Sequence, residues 1–389
     1  MKEMKALAIC HKGFEDVAAK EVKELIKADS TIKDSAIIFN IKKLEDLCLL
    51  TYRAQSLQKV LFFFHEVQIN QNLDFTIKKI KEKIDKIDFK DWFDEKTSFK
   101  VKCARFGEHD YQTLDIEEKV GELIINKIKD KLRFAPAVVM DQPQLIFYVY
   151  INGKTAYLGI DFAGKDLSKR EYKIFTSQTD IKGTLAFSLL KLADYNKNKV
   201  LLDPFSGSGT IPIEAALYSS NLSSWFYNKH FAFEKLKPMK RTDFEKFFKK
   251  LDSKIKKAQI ELYCFDASNH NVTSSRKNAK IAGIDKLMRF SRADIEWLDT
   301  KLDKEKIDLI VTKIPCESKN IDQKIIEKLY NEFFYQAEFI LKKSGRIFAL
   351  VIKKDLLLEM AKKKKFKKIK ERTIWSGEQE YFVVEMKKA

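Results

Sequence analysis

The chain is short of several things, and each shortage excludes something. Only five of its 389 residues are cysteine, at positions 10, 48, 103, 264 and 316, and no two form a C-x-x-C pair. Its five histidines offer those thiols no partner at ligand spacing, so no structural zinc is expected. Scattered, unpaired thiols also fit a reducing compartment better than a disulfide framework. No apolar run approaches the ~20 residues that a membrane-spanning helix needs. The opening Met-Lys-Glu-Met-Lys and the short run Ala6 to Cys10 give way at once to His11 and Lys12, which is too brief for a secretory leader. A cytoplasmic protein that avoids membranes is the expectation. Arginine is scarce as well: ten of the 74 basic residues, set against 56 acidic ones, for a net charge of +18. Such a balance favours a polyanionic partner such as nucleic acid, although a lysine-rich composition by itself fits a biased genome equally well.

What is present is enough apolar material, 45% of the residues, to fill two or three cores. The first segment reads as a small α+β unit: a strand at Lys5 to Cys10, a helix from Phe14 to Ala28, strand pattern at Ala36 to Ile41 and a helix near Leu44 to Leu50. A second α+β stretch runs from about residue 66 to 165, with strands at Ser98 to Cys103 and Leu145 to Ile151. Turn residues and charge at Asp161 to Lys173 mark a boundary. Beyond it, strand signals at 200–203, 262–266, 288–291, 307–312, 346–352, 369–375 and 381–386 have helical segments between the first five, which implies a parallel sheet covered on both faces. The last two are joined by Ser376-Gly377-Glu-Gln and read as a hairpin. Residues 221–257 form an insertion rich in Lys and Phe, and the lysine run 362–370 reads as a solvated helix face.

The chemistry gathers at residues 201–214, Leu-Leu-Asp-Pro-Phe-Ser-Gly-Ser-Gly-Thr-Ile-Pro-Ile-Glu. A strand ends on Asp203, turns through Gly207 and Gly209, which can take positive φ and let a ligand approach the backbone, and enters a helix. Two further acids close later strands: Asp266 in Leu-Tyr-Cys-Phe-Asp and Asp294 in Arg-Ala-Asp-Ile. The string Asp203 to Thr210 with its Ile-Pro-Ile-Glu-Ala-Ala continuation resembles the S-adenosylmethionine loop of class I RNA methyltransferases that carry a THUMP domain. Three other segments are similar to parts of the same family: Ala-Ile-Cys-His-Lys-Gly-Phe-Glu near the N-terminus, Phe99 to His109 with Asp115 to Gly121, and the connector around Arg170.

That resemblance implies an α/β protein: a ferredoxin-like α+β domain over 1–65, a THUMP RNA-binding domain over 66–165, and a Rossmann-like class I methyltransferase domain over 166–389. It implies S-adenosylmethionine as cofactor, held by Asp203 at the methionine end, Asp266 at the ribose and Asp294 at the adenine amine, with Phe205, Gly207, Gly209, Thr210 and Ala267 lining the cradle. Lys102, Arg105, His109 and Arg170 are the expected RNA contacts, beside the aromatic Phe106 and Tyr111, and a structured RNA, ribosomal or transfer, is the expected partner. Phe-Ala-Phe-Glu at 231–234 leans towards ribosomal RNA, since the ribosomal branch of the family carries it.

The fourth strand leads into Thr312-Lys313-Ile314-Pro315-Cys316, the expected catalytic segment. Amine methyltransferases of this fold usually place Asn or Asp, a residue, Pro and an aromatic here, so this chain departs at Lys313 and Cys316. A guanine amine needs an acceptor to orient it and a ring to stack on, and a protonated lysine cannot accept. Three readings stand. Guanine N2 methylation survives if the Ile314 carbonyl or Thr312 accepts while Lys313 points towards RNA phosphate. A cytosine-C5 enzyme would use Cys316 as nucleophile. A non-catalytic RNA-binding or assembly factor would do neither.

Overall fold

A computed structural model describes residues 4–177, 180–317 and 321–389. They divide into two compact units. The first takes residues 1–10, 18–167 and 228–250; the second takes 11–17, 168–227 and 251–389.

Eight strands build the first unit: β1 (Met4–Ile9), β2 (Ser30–Lys33), β3 (Ala36–Ile41), β4 (Lys59–Gln68), β5 (Ser98–Phe106), β6 (Ala137–Val138), β7 (Leu145–Asn152) and β8 (Thr155–Asp161). They form one continuous sheet in the order β2-β3-β1-β4-β8-β7-β5-β6. The two α+β stretches, expected as separate domains, thus share a sheet through the antiparallel β4–β8 pair, from Leu61 opposite Asp161 to Gln68 opposite Thr155. The insertion belongs here too. Its Phe233 amide donates to the Phe162 carbonyl at 3.0 Å, and Phe231 and Phe248 meet the ring of Tyr52. Lys237 Nζ donates to the Phe93 carbonyl at 2.8 Å, and Lys240 pairs with Asp94 at 2.9 Å. The phenylalanines of Phe-Ala-Phe-Glu are therefore buried core side chains.

The second unit carries β9 (Leu201–Asp203), β10 (Leu262–Asp266), β11 (Arg289–Arg292), β12 (Ile307–Lys313), β13 (Leu341–Val351), β14 (Phe366–Ser376) and β15 (Gln379–Lys388). Their order is β11-β10-β9-β12-β13-β15-β14, parallel except at β15, which pairs antiparallel with β13 and β14. Period-two alternation explains the two cores. Leu201, Cys264, Leu309, Val311 and Phe348 face one layer, while Leu202, Tyr263, Phe265, Ile310 and Ile347 face the other. The order reverses at β9, between β10 and β12, which places the loops after β9 and β12 at a topological switch point where ligands bind in open α/β sheets.

Two local expectations change. Phe14 and Val17, expected on a helix of the first domain, pack into the core of the second unit, where Arg372 also holds Asp16 at 2.7 and 2.9 Å. The lysine run 362–370 is not one helix face: the helix ends at Lys363 and β14 starts at Phe366. β14 is an edge strand, and lysines there block pairing with another chain. No helix of the described residues is long and apolar enough to cross a membrane.

Candidate active site

The loop after β9 has the strand–turn–helix geometry that its sequence implies. Gly207 takes φ +53° and Gly209 φ +83°, and Gly209 stands immediately before the helix Thr210–Ser220. A Cβ at Gly209 would lie 2.7 Å from the Ser275 Cβ, so only glycine lets this turn seat against the helix Asn269–Ile281. The turn is anchored from three sides. Asp266 accepts from the Gly207 amide at 2.9 Å, Asn278 Nδ2 donates to the Ser208 carbonyl at 3.1 Å, and the Ser208 hydroxyl donates to Asp180 at 2.5 Å.

Asp203 sits buried beneath this loop. Burial pushes its carboxyl up to about 7, with the Asp266 charge adding to the rise. The Thr312 hydroxyl, which donates to Oδ1 at 2.6 Å, and the Phe205 amide pull against that rise. Thr312 is itself fully buried, so its hydroxyl is committed to Asp203 and does not serve as the substrate acceptor considered from sequence. Asp266 closes β10 with one carboxylate oxygen towards Gly207 and the other towards the Ser268 amide and Asn271 Nδ2. Oδ1 already accepts two hydrogen bonds, whereas Oδ2 accepts one and keeps a second lone pair for a hydroxyl. Ala267 follows it, and Asp294 follows β11 as an exposed residue.

A narrow cleft lies at the Asp203 side of the loop, lined by Asp180, Asp203, Phe205, Thr210 and Lys313 among others; Asp266, Ala267 and Asp294 are not part of its lining. The hydroxyl of Thr210 is buried there and has no hydrogen-bond partner among the described residues. An orphaned donor beside a buried carboxyl with a raised pKa, under a loop of left-handed glycines, is chemistry that an amino-acid end with an ammonium and a carboxylate satisfies. The residues present therefore fit S-adenosylmethionine.

After β12 the chain leaves the strand still bound to β13. The Ile314 amide donates to the Leu350 carbonyl at 3.1 Å and its side chain is buried in the core, while the Tyr330 hydroxyl donates to the Pro315 carbonyl at 2.6 Å. Cys316 is half-buried beside the same core. Lys313 folds inward: its Nζ lies 5.7 Å from the ring centre of Tyr381, and it has no hydrogen bond or ion pair among the described residues. Burial lowers its pKa and Lys173 adds to that, against the raising effects of Cys316 and Asp180.

In the first unit, β5 brings Arg105 and His109 together beside Tyr111. His109 Nε2 meets the Gly153 carbonyl at 2.8 Å, and Arg105 Nη1 reaches the Gly107 carbonyl at 3.3 Å. Phe106 is exposed next to them, and Lys102 is half-exposed with Glu117 at 3.3 Å. Arg170 stands elsewhere. Its guanidinium is fully buried in the second unit in a bidentate pair with Glu214, at 2.8 and 3.1 Å, and Tyr172 donates to the same carboxylate at 2.7 Å. An Arg so enclosed presents nothing to RNA, which corrects its placement among the RNA contacts.

Sequence reasoning also missed Asp180, Asn278 and Tyr381. Asn278 lies within an otherwise ordinary helix, yet it binds both the Ser208 carbonyl and the backbone of Phe175. Its only sequence signal is an Asn in a helix interior, a poor place for it without a partner.

Comparison with known proteins agrees with this architecture. The RMKL-like methyltransferase domain family, UPF0020, matches residues 170–380, and the THUMP domain family matches residues 75–161. A tRNA (guanine(6)-N2)-methyltransferase of Methanocaldococcus jannaschii is 26% identical over 94% of this chain and 95% of its own length. A ribosomal RNA large subunit methyltransferase K/L of Vibrio cholerae is 29% identical, over 45% of this chain and 25% of its own. Among solved structures, SMU.472 complexed with SAH has TM-score 0.84 at 20% identity, covering 100% of this chain and 99% of that one. TrmN from Thermus thermophilus has TM-score 0.69 at 21% identity, covering 99% and 100%. With more than half of its length matched by that family, and the glycine loop and acid-ended strands in place, the chain belongs to the RMKL-like, S-adenosylmethionine-dependent methyltransferases and carries a THUMP domain.

Proposed function

We propose that the protein methylates the exocyclic N2 of a guanine in a structured RNA, and that the RNA is a transfer RNA. The observation that carries this is the pairing of a methyl-donor cradle with a THUMP unit in one chain, together with a relative that matches nearly all of it and acts on tRNA guanine N2. The ribosomal relative matches less than half of the chain, so it supports the chemistry more than the substrate.

Asp203 and Thr210 are suited to the methionine end of the donor, the Gly207 and Gly209 backbone to its close approach, Asp266 to the ribose hydroxyls, and Asp294 to the adenine amine. When bound, the donor supplies an electrophilic methyl group on a sulfonium. The protein's part is orientation. Tyr330 and Leu350 fix the backbone of Ile314 and Pro315, giving the segment after β12 a set geometry against which a base can be aligned. The base must be unstacked to enter a cleft of this kind. Arg105, His109 and Lys102, with Phe106 and Tyr111, offer phosphate contacts and stacking in the THUMP half.

The test is incubation of purified protein and isotopically labelled S-adenosylmethionine with unmodified tRNA transcripts and, separately, with 23S rRNA, followed by nucleoside mass spectrometry. N2-methylguanosine in the tRNA is the expected product. The same nucleoside in rRNA alone moves the substrate, and 5-methylcytidine overturns the amine reading in favour of Cys316 as nucleophile.

A further inference from the structure

The residue at the end of β12 is where the chain departs most from the usual amine-methylating pattern, and its surroundings explain what it can do. Lys313 lines the cleft that holds Asp203, Asp180 and Thr210. It is half-buried, and no carboxylate of the described residues is within ion-pair reach. The two carboxylates that face it are otherwise engaged. From the connector, Asp180 is bound by Ser208, by Ser177 and by Lys173 at 3.3 Å. From the β9 loop, Asp203 is held by Thr312 and carries a carboxyl that burial makes hard to ionise. Tyr381 of β15 offers Lys313 only a ring face, burial raising its own pKa, and Cys316 stands three residues on in the same loop. A half-buried amine with no anion of its own is destabilised in its charged form. A positively charged sulfonium in the cleft would add to that pressure.

We propose that Lys313 is the proton acceptor of the methyl-transfer reaction, its neutral Nζ accepting a hydrogen bond from the guanine N2 amine in place of the usual side-chain oxygen. This rests on the guanine N2 reading above. The balance is simple. The N2 lone pair forms the new N–CH3 bond, the CH3–S bond breaks with its pair left on sulfur as a thioether, and one N2 proton passes to the Nζ lone pair to give an ammonium. The electron pair of that N–H bond stays on nitrogen, and the ammonium returns its proton to water once the product leaves. A neutral lysine amine accepts one hydrogen bond, as an Asn side-chain oxygen does, but it also takes the proton away. Burial of Lys313 and the nearby Lys173 both favour that neutral form.

The test has two arms. Competitive labelling of the full-length protein with acetic anhydride across pH, read peptide by peptide by mass spectrometry with SAH present, gives the titration midpoint of Lys313 directly. It is expected below those of the exposed lysines of the same molecule, and a midpoint among theirs overturns the proposal. The second arm is single-turnover methylation of unmodified tRNA transcripts by Lys313→Met and Lys313→Arg, with SAH affinity measured by calorimetry. Both variants are expected to lose about a hundredfold or more in rate, the size of general-base assistance, while SAH affinity holds within a factor of about three. The wild-type rate should rise with pH, be half-maximal at the labelling midpoint and level off above it, and the Lys313→Met profile should be flat over that range. Activity retained by Lys313→Arg, which keeps the charge but does not deprotonate, would make Lys313 a phosphate contact. A large loss of SAH affinity would make it an anchor for the cofactor carboxylate, and either result overturns the proposal. A wild-type protein that methylates neither RNA defeats the substrate reading instead, and the labelling arm still decides whether Lys313 is able to accept a proton.

Discussion

Two regions of the molecule treat charge in opposite ways. Around the β9 loop charged groups are enclosed and mated: Arg170 with Glu214 and Tyr172, Asp203 with Thr312, Asp266 with backbone amides. Around β5 of the THUMP half, Arg105, His109 and Lys102 are partly exposed and held loosely, by carbonyls at 2.8 to 3.3 Å and by one ion pair. Enclosed charge has one geometry and can position a small ligand, whereas exposed charge keeps its freedom and can follow a large, irregular polyanion. The proposed division of labour between methyl donor and RNA rests on that difference.

The comparison breaks most visibly at the enclosed pair. Glu214→Ala leaves a fully buried guanidinium uncompensated and should cost about 3–5 kcal/mol of stability, read as a lowered denaturation midpoint. An unchanged midpoint, with weakened RNA binding, would return Arg170 to the RNA surface. Asp266→Ala removes the acceptor of the Gly207 amide, which is also the acceptor proposed for the ribose, and on that proposal SAH affinity should fall by roughly tenfold to a hundredfold, about 1.5–3 kcal/mol for a charged hydrogen bond. Calorimetry with unchanged affinity would reject the ribose assignment.

Asp203 gives a pH test whose sign is fixed by its raised pKa of about 7. Below that value it is neutral and cannot pair with an ammonium, so SAH affinity should fall towards acid pH, approaching tenfold per unit. In the ligand-free protein the direction reverses. The stability that neutral Asp203 contributes is full below the ordinary carboxyl value near 4 and is lost as pH rises through 7. Asp203→Asn should therefore flatten the affinity profile and make the ligand-free protein the more stable one at pH 8. A wild-type affinity independent of pH between 6 and 8 would contradict the assignment. The smallest effect is expected on the loose side: Arg105→Ala should weaken binding of tRNA transcripts a few-fold and reduce the salt slope by about one, leaving SAH affinity alone. Equal loss of SAH affinity would show that the two regions are not separable.

Much of the enclosed region was legible because its chemistry is local in sequence. The string Asp203 to Thr210 names its own strand, turn and helix, and the strand at 262–266 was read to the residue. Residues that act across long separations were not legible: Thr312 binds Asp203 from 109 positions away, Asn278 reaches Ser208 over 70, and nothing in either neighbourhood advertises the partner. Arg170 was misread because a basic residue in a charged connector looks solvated until its carboxylate, 44 positions on, is known. The segments 11–17 and 228–250 each sit among residues of the other unit's sequence, and chain order alone gives no sign of such exchanges. The lysine run at 362–370 failed for a different reason: helical and edge-strand lysines carry the same composition, and only the register with β15 separates them.

The most direct test of the donor cradle is amide hydrogen exchange of the full chain with and without SAH. Protection should concentrate in the loop from Asp203 to Thr210 and at Asp266 to Ser268, with the β5 region of the THUMP half unchanged. No protection in those two loops at saturating SAH would contradict the site.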